Sequence, residues 1–131
     1  MKIMLLILIA VLGMSTMVFA AQAETITLKR GQQKTVQKGE VTIKFVTVTE
    51  DSRCPVGTQC VWEGNAKVQV RITNRHGGSK TMVMNTGTGP HGDQFNGWAI
   101  YLNELTPKPK GGTKINPRAY VATFSVTRLM R

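Results

Sequence analysis

The stretch Ala66-Lys67-Val68-Gln69-Val70-Arg71-Ile72-Thr73 decides the fold class. Its small and apolar residues take every second position, and Lys67, Gln69, Arg71 and Thr73 fill the gaps. Successive side chains of an extended strand point to opposite faces, so Ala66, Val68, Val70 and Ile72 line one buried face and the polar set meets water. A helix would split these four residues between opposite sides. Asn74-Arg75-His76-Gly77-Gly78 follows as a turn, since two glycines permit positive φ. Thr81 to Asn85 makes the return strand.

The same pattern extends outward in both directions. Towards the amino end, Val41, Ile43 and Phe45 share one parity, and Val46 and Val48 continue on the other. Such a change predicts a β-bulge, or a strand that passes from one sheet to another. Gln33 to Gln37 precedes a Lys38-Gly39 turn, and Ile26 and Leu28 alternate with threonine and lysine. Towards the carboxyl end, Trp98, Ile100 and Leu102 alternate with Ala99 and Tyr101, and Tyr120, Ala122, Phe124 and Val126 share a parity within a closing strand, Tyr120 to Leu129. Thr86 to Gly97 and Thr106 to Pro117 read as long loops, with the glycines of Thr86-Gly87-Thr88-Gly89-Pro90 supplying flexibility. That run is no phosphate loop, because it lacks a following Gly-Lys-Ser/Thr and a helix. No stretch after Ala23 keeps a 3.6-residue period over three turns. About seven short strands and no linker predict an all-β chain: a single antiparallel β-sandwich, with a small β-barrel as the alternative.

The first residues set the compartment. Met1-Lys2 precedes an apolar run from Ile3 to Leu12, and small residues close the segment at Ala20-Ala21-Gln22-Ala23. Charge, apolar core and A-x-A site make a signal peptide, residues 1–23, leaving one β-rich domain at 24–131. The run is close to the length of a membrane span. The switch to Glu24-Thr25-Ile26-Thr27 favours cleavage over an anchor, and no cysteine stands near the site for lipid attachment. The expected product is exported, periplasmic or secreted, and soluble, with no membrane span after cleavage.

The chain carries 17 Lys and Arg against 7 Asp and Glu. Loss of Lys2 with the leader leaves 16 against 7, a net charge of +9 over 108 residues. Such a surface attracts polyanions. For an exported bacterial protein these are lipopolysaccharide, anionic phospholipid and acidic glycans. Lys108, Lys110, Lys114 and Arg118 form a candidate basic patch, and Lys29, Arg30, Lys34 and Lys38 a second cluster. Nucleic acid is disfavoured, because export removes it from reach and no aromatic-rich basic strand is present. Solubility alone is the competing reason for the charge.

Cys54 and Cys60 are the two cysteines, and export points to a disulfide between them. The loop they close is short, so loop-closure entropy gives about 2 kcal/mol and a local clamp. The C-x-x-C spacing of redox centres is absent. A zinc site would need His76 and His91 at spacings unlike the usual pairs. No metal or cofactor is called for.

Glu50-Asp51-Ser52-Arg53-Cys54-Pro55-Val56-Gly57-Thr58-Gln59-Cys60-Val61-Trp62-Glu63-Gly64 is the one local signature. Asp51 and Ser52 suit acceptance of backbone N–H groups as the chain turns. Trp62 is expected to cover the sulfurs at the edge of the core. The run D-S-R-C-P, then C-V-W and G-x-A-x-V, resembles an uncharacterised family of small bacterial exported domains, periplasmic or lipoprotein. The resemblance covers most of the mature chain, including Leu102-Asn103-Glu104-Leu105-Thr106-Pro107 and Tyr120. It implies membership and no particular activity. Glu63 stands where a small residue is expected, and without a lipidated cysteine an anchor does not carry over.

Asp51, Arg53, Trp62 and Glu63 are the candidate binding edge, since Arg and Trp are favoured at hot spots. A loop whose geometry is merely demanding is the structural alternative. No catalytic constellation is marked. His76 falls in a turn, His91 in a loop, Asp51 and Ser52 are adjacent rather than apposed, and no carboxylate pair is signalled. The leading expectation is a non-enzymatic binding module for an anionic envelope component or a protein partner. The alternatives are a periplasmic inhibitor or immunity protein acting on an enzyme, and a small enzyme or metal protein using His76, His91, Asp93 or Glu63.

Overall fold

A computed structural model of the chain describes residues 22–129. Residues 1–21 of the expected signal peptide lie outside them. Eight strands form: β1 (Glu24–Lys29), β2 (Gln33–Val36), β3 (Val41–Asp51), β4 (Ala66–Asn74), β5 (Ser79–Asn85), β6 (Gly92–Phe95), β7 (Trp98–Thr106) and β8 (Val121–Arg128). They build two antiparallel four-stranded sheets, ordered β1-β8-β7-β6 and β2-β3-β4-β5.

The inner faces are those the alternation assigns. Ala66, Val68, Val70 and Ile72 are wholly buried, as are Val41, Ile43 and Phe45 across the ladder. The facing sheet supplies Ile26, Leu28, Trp98, Ile100, Leu102, Tyr120, Ala122, Phe124 and Val126. Phe45 and Phe124 meet edge to face between the sheets, ring centres 6.1 Å apart. Each fully buried Val, Ile or Phe contributes about 1.5–3 kcal/mol by leaving water.

The parity change in β3 is a bulge. Pairing passes from Phe45–Val70 to Thr47–Gln69, leaving Val46 as the extra residue, and β3 stays in one sheet. A like shift between Leu102 and Glu104 in β7 returns Leu105 to the core face. The sheets remain separate. On one side the chain crosses at Gly31, whose N–H donates to the Phe45 carbonyl at 2.7 Å. On the other, Lys80 reaches Asp93 at 2.9 Å, so β5 and β6 are joined by side chains and not by a backbone ladder.

β6 is the strand beyond the expected seven. It lies in the segment read as loop, since Gly92-Asp93-Gln94-Phe95 offers one apolar residue and no alternation. Its hairpin forms because Asn96 and Gly97 both take positive φ, 47° and 83°, as a two-residue hairpin turn requires.

Strand directions sort the connections. Tight turns at 37–40, 74–78 and 96–97 gather at one end of the sandwich. The three long connections, 52–65, 86–91 and 107–120, emerge at the other. Functional positions concentrate on such loops, held by a rigid scaffold.

Candidate functional site

Asp51 ends β3 and anchors the loop end. Its Oδ1 accepts from Arg53 Nε at 2.9 Å and Oδ2 from Arg53 Nη2 at 2.7 Å, a bidentate pair. Tyr120 Oη donates to the same Oδ2 at 2.8 Å, from the start of the last strand. Arg53 also donates to the Leu105 carbonyl at 2.8 Å and the Pro107 carbonyl at 2.9 Å. One ion pair thus ties the ends of β3, β7 and β8 together. Both side chains are 12% exposed.

Burial works to raise the Asp51 pKa, but hydrogen bonds from Arg53 and Tyr120 and the guanidinium charge outweigh it, so the carboxyl is held below the usual range. Burial, with the Asp51 hydrogen bond and charge, pushes the Tyr120 hydroxyl up to about 12.

The loop beyond is fastened at its base. Cys54 and Cys60 are joined, Cα atoms 5.9 Å apart. The Cys54 N–H donates to the Glu63 carbonyl at 3.0 Å, and the Ser52 N–H to the Asn65 carbonyl at 2.7 Å. Ser52 Oγ both donates to the Asn65 carbonyl and accepts the Asn65 N–H. Asn65 then grips the neighbouring loop, accepting from the Gly87 N–H at 2.9 Å and donating to buried Asn85 at 2.8 Å. The glycines at 64 and 87 let these backbones touch. A Cβ on Gly64 would lie 2.0 Å from the Ser52 oxygen, and one on Gly87 2.3 Å from the Gly64 oxygen. Reading Gly87 as loop flexibility is corrected: it serves close packing.

The basic loop is bonded to the disulfide loop. The Val56 N–H donates to the Pro109 carbonyl at 2.8 Å, and Val56 bridges to Lys110. Lys108, Lys110, Lys114 and Arg118 are exposed, and none takes part in an ion pair among the described residues. Between the loops and β7 runs a groove of about 720 Å³ lined by Arg53, Glu63, His91, Glu104, Lys108 and Thr123 among others.

The four residues of the candidate edge therefore do not share one aspect. Asp51 and Arg53 turn inward to the network, whereas Trp62 is 81% exposed and Glu63 is exposed. The expectation that Trp62 shields the sulfurs at the core's edge is corrected. Its loop bends outward at Val61-Trp62, and the core is closed without it by Leu105 and Tyr120. Val61, 91% exposed, and Val56, 59%, join Trp62 at this end; neither was singled out from the sequence, although one valine inside a disulfide loop and another directly after it were visible signals.

His76 and His91 lie at opposite ends of the sandwich, in the 74–78 turn and the 86–91 loop. His76 Nε2 is 3.3 Å from Glu40, and Asp93 pairs with Lys80, whose hydrogen bond holds its carboxyl below the usual range. Among the described residues no three His, Cys, Asp or Glu side chains come together as a metal site, and no helix is long and apolar enough to cross a membrane. Set against family models, curated proteins and solved structures, the chain matches none of them.

Proposed function

We propose that the protein is an exported, non-enzymatic binding module that holds an anionic component of the cell envelope at its loop end. The observation that carries this reading is the pairing of two hydrogen-bonded loops, one displaying Val61 and Trp62, the other displaying lysines that form no ion pair among the described residues. A clamped loop loses little conformational entropy on binding, so contact energy is retained as affinity. Trp supplies a large apolar contact area, and the lysines supply attraction at long range. The expected leader and the disulfide support a location where envelope polyanions are found.

The test uses the mature domain, residues 24–131, immobilised and exposed to envelope extract at low and moderate salt. A variant combining Trp62→Ala with Lys108→Gln, Lys110→Gln and Lys114→Gln is run beside it. An anionic component retained by the wild type and released by the variant is expected. Equal retention by both, or no retention at either salt, overturns the reading. The projecting Val61-Trp62 tip also favours a second reading, an inhibitor that inserts a loop into an envelope-attacking enzyme. Co-purification of a hydrolase, lost in Trp62→Ala, is its expected mark.

A further inference from the structure

Five large hydrophobic residues stand exposed among the described residues, and three of them lie in the 52–65 connection, Val56 inside the disulfide loop and Val61 and Trp62 directly after it. Val56 is tied to the basic loop by its hydrogen bond to Pro109 and its bridge to Lys110, and Lys108 lines one groove with Glu63, the neighbour of Trp62. Lys114 lines the same shallow hollow as Pro55, Pro109 and Lys110. The loop end of the molecule thus carries exposed apolar residues and exposed cations on connections that are hydrogen-bonded to one another.

Resting on the reading that this end holds an anionic envelope component, we infer that the component is the surface of an anionic phospholipid bilayer, with Val61 and Trp62 inserted at headgroup depth. The chemistry fits on three counts. Trp is favoured at the membrane–water interface, where its apolar body and polar N–H meet both phases. Lysines beside the tip face the lipid phosphates, each adding about fivefold to partitioning onto an anionic surface. Glu63, exposed beside Trp62, opposes one of these charges, so three lysines leave a preference of about thirtyfold over a neutral bilayer. A protein partner is the weaker fit, because one Trp and two valines fall well short of the roughly 800 Å² per side of a standard interface. Shallow insertion of a tip needs no such area.

The two tryptophans make the test direct. Trp98 is 6% exposed, in the core beneath Arg128, whereas Trp62 is 81% exposed. A change of emission on binding therefore reports Trp62. The mature domain is mixed with vesicles of phosphatidylcholine, with or without one-third phosphatidylglycerol, and followed by sedimentation and fluorescence. Expected are a blue shift and quenching by lipids brominated high in the acyl chain, with affinity about thirtyfold above neutral vesicles and falling with salt. Trp62→Phe should abolish the emission change. Lys108→Gln/Lys110→Gln/Lys114→Gln should bring binding to anionic vesicles down to the neutral-vesicle level or below it, since Glu63 is then unopposed, with circular dichroism unchanged.

Equal binding to both vesicle types, or sedimentation without an emission change, overturns the inference. If vesicles are ignored while a lipid-free envelope extract still yields a component that the tip variant releases, the lipid assignment falls and the binding module stands. If neither vesicles nor extract bind, both fall.

Discussion

Asp51 accepts hydrogen bonds from Tyr120 and from three nitrogens of Arg53, so the start of the disulfide connection and the approach to the last strand are held at one point. Arg53 is the less replaceable partner. Its planar fork spans Asp51 and the carbonyls of Leu105 and Pro107, which a lysine cannot do with one ammonium group. Arg53→Lys is expected to cost about 2 kcal/mol, read from urea unfolding, because half-buried acceptors lose their donors. The pair also sets two pH limits. The Asp51 pKa is lowered in the folded state, so its contribution is present above the unfolded value and is lost as pH falls below about 4. The Tyr120 pKa is raised to about 12, so its contribution is complete below the unfolded value near 10 and is lost as pH rises from about 10 to 12. Tyr120→Phe should remove up to about 2 kcal/mol of that alkaline fall, in urea titrations compared at pH 9 and pH 12. A variant that keeps the wild-type slope would show that Tyr120 is not the titrating group. None of this coupling was visible in the chain, since Asp51 and Tyr120 are 69 residues apart.

At the scale of elements, the disulfide loop and its neighbours form one joined unit. Removing the bridge with Cys54→Ser/Cys60→Ser should lower stability by about 2 kcal/mol and leave the sheets intact, read by thermal unfolding and far-ultraviolet circular dichroism. Two glycines of this unit should respond differently. Gly64 is at φ 78°, and a Cβ there meets backbone at 2.0 Å, so Gly64→Ala should cost about 3 kcal/mol or more. Gly57 is at φ 81° with open space around it, so Gly57→Ala should cost only about 1 kcal/mol. Equal losses would mean that the two loops do not pack as described. Strands with strict alternation, above all β4, were legible because burial of one face imposes a period of two on the residues themselves. β6 was not, because its pairing with β7 comes from a turn and a neighbour rather than from its own pattern. The bulge in β3 was legible, because an extra residue shifts parity and parity is written in the sequence.

For the molecule as a whole, the placement of charge matters more than its sum. Of the seven acids, Glu40, Glu50, Asp51 and Asp93 are each matched to a cation, while Lys108, Lys110, Lys114 and Arg118 are left to solvent. The chain recovered from an envelope fraction is expected to begin at Glu24 and to contain one disulfide, which intact-mass spectrometry checks; a mass that retains the leader would refute cleavage. The sequence by itself determined the all-β class, the parity of the buried faces, the disulfide pair and the excess of positive charge. Each of these is a local or compositional property, enforced by strand geometry or by counting. Only the tertiary structure decided that the three long loops share one end, that Asp51 and Arg53 serve the scaffold, and that Val61 and Trp62 stand exposed on a connection bonded to the basic loop. Those placements depend on strand direction and on contacts between residues far apart in the chain, and no single segment encodes where its neighbours will lie.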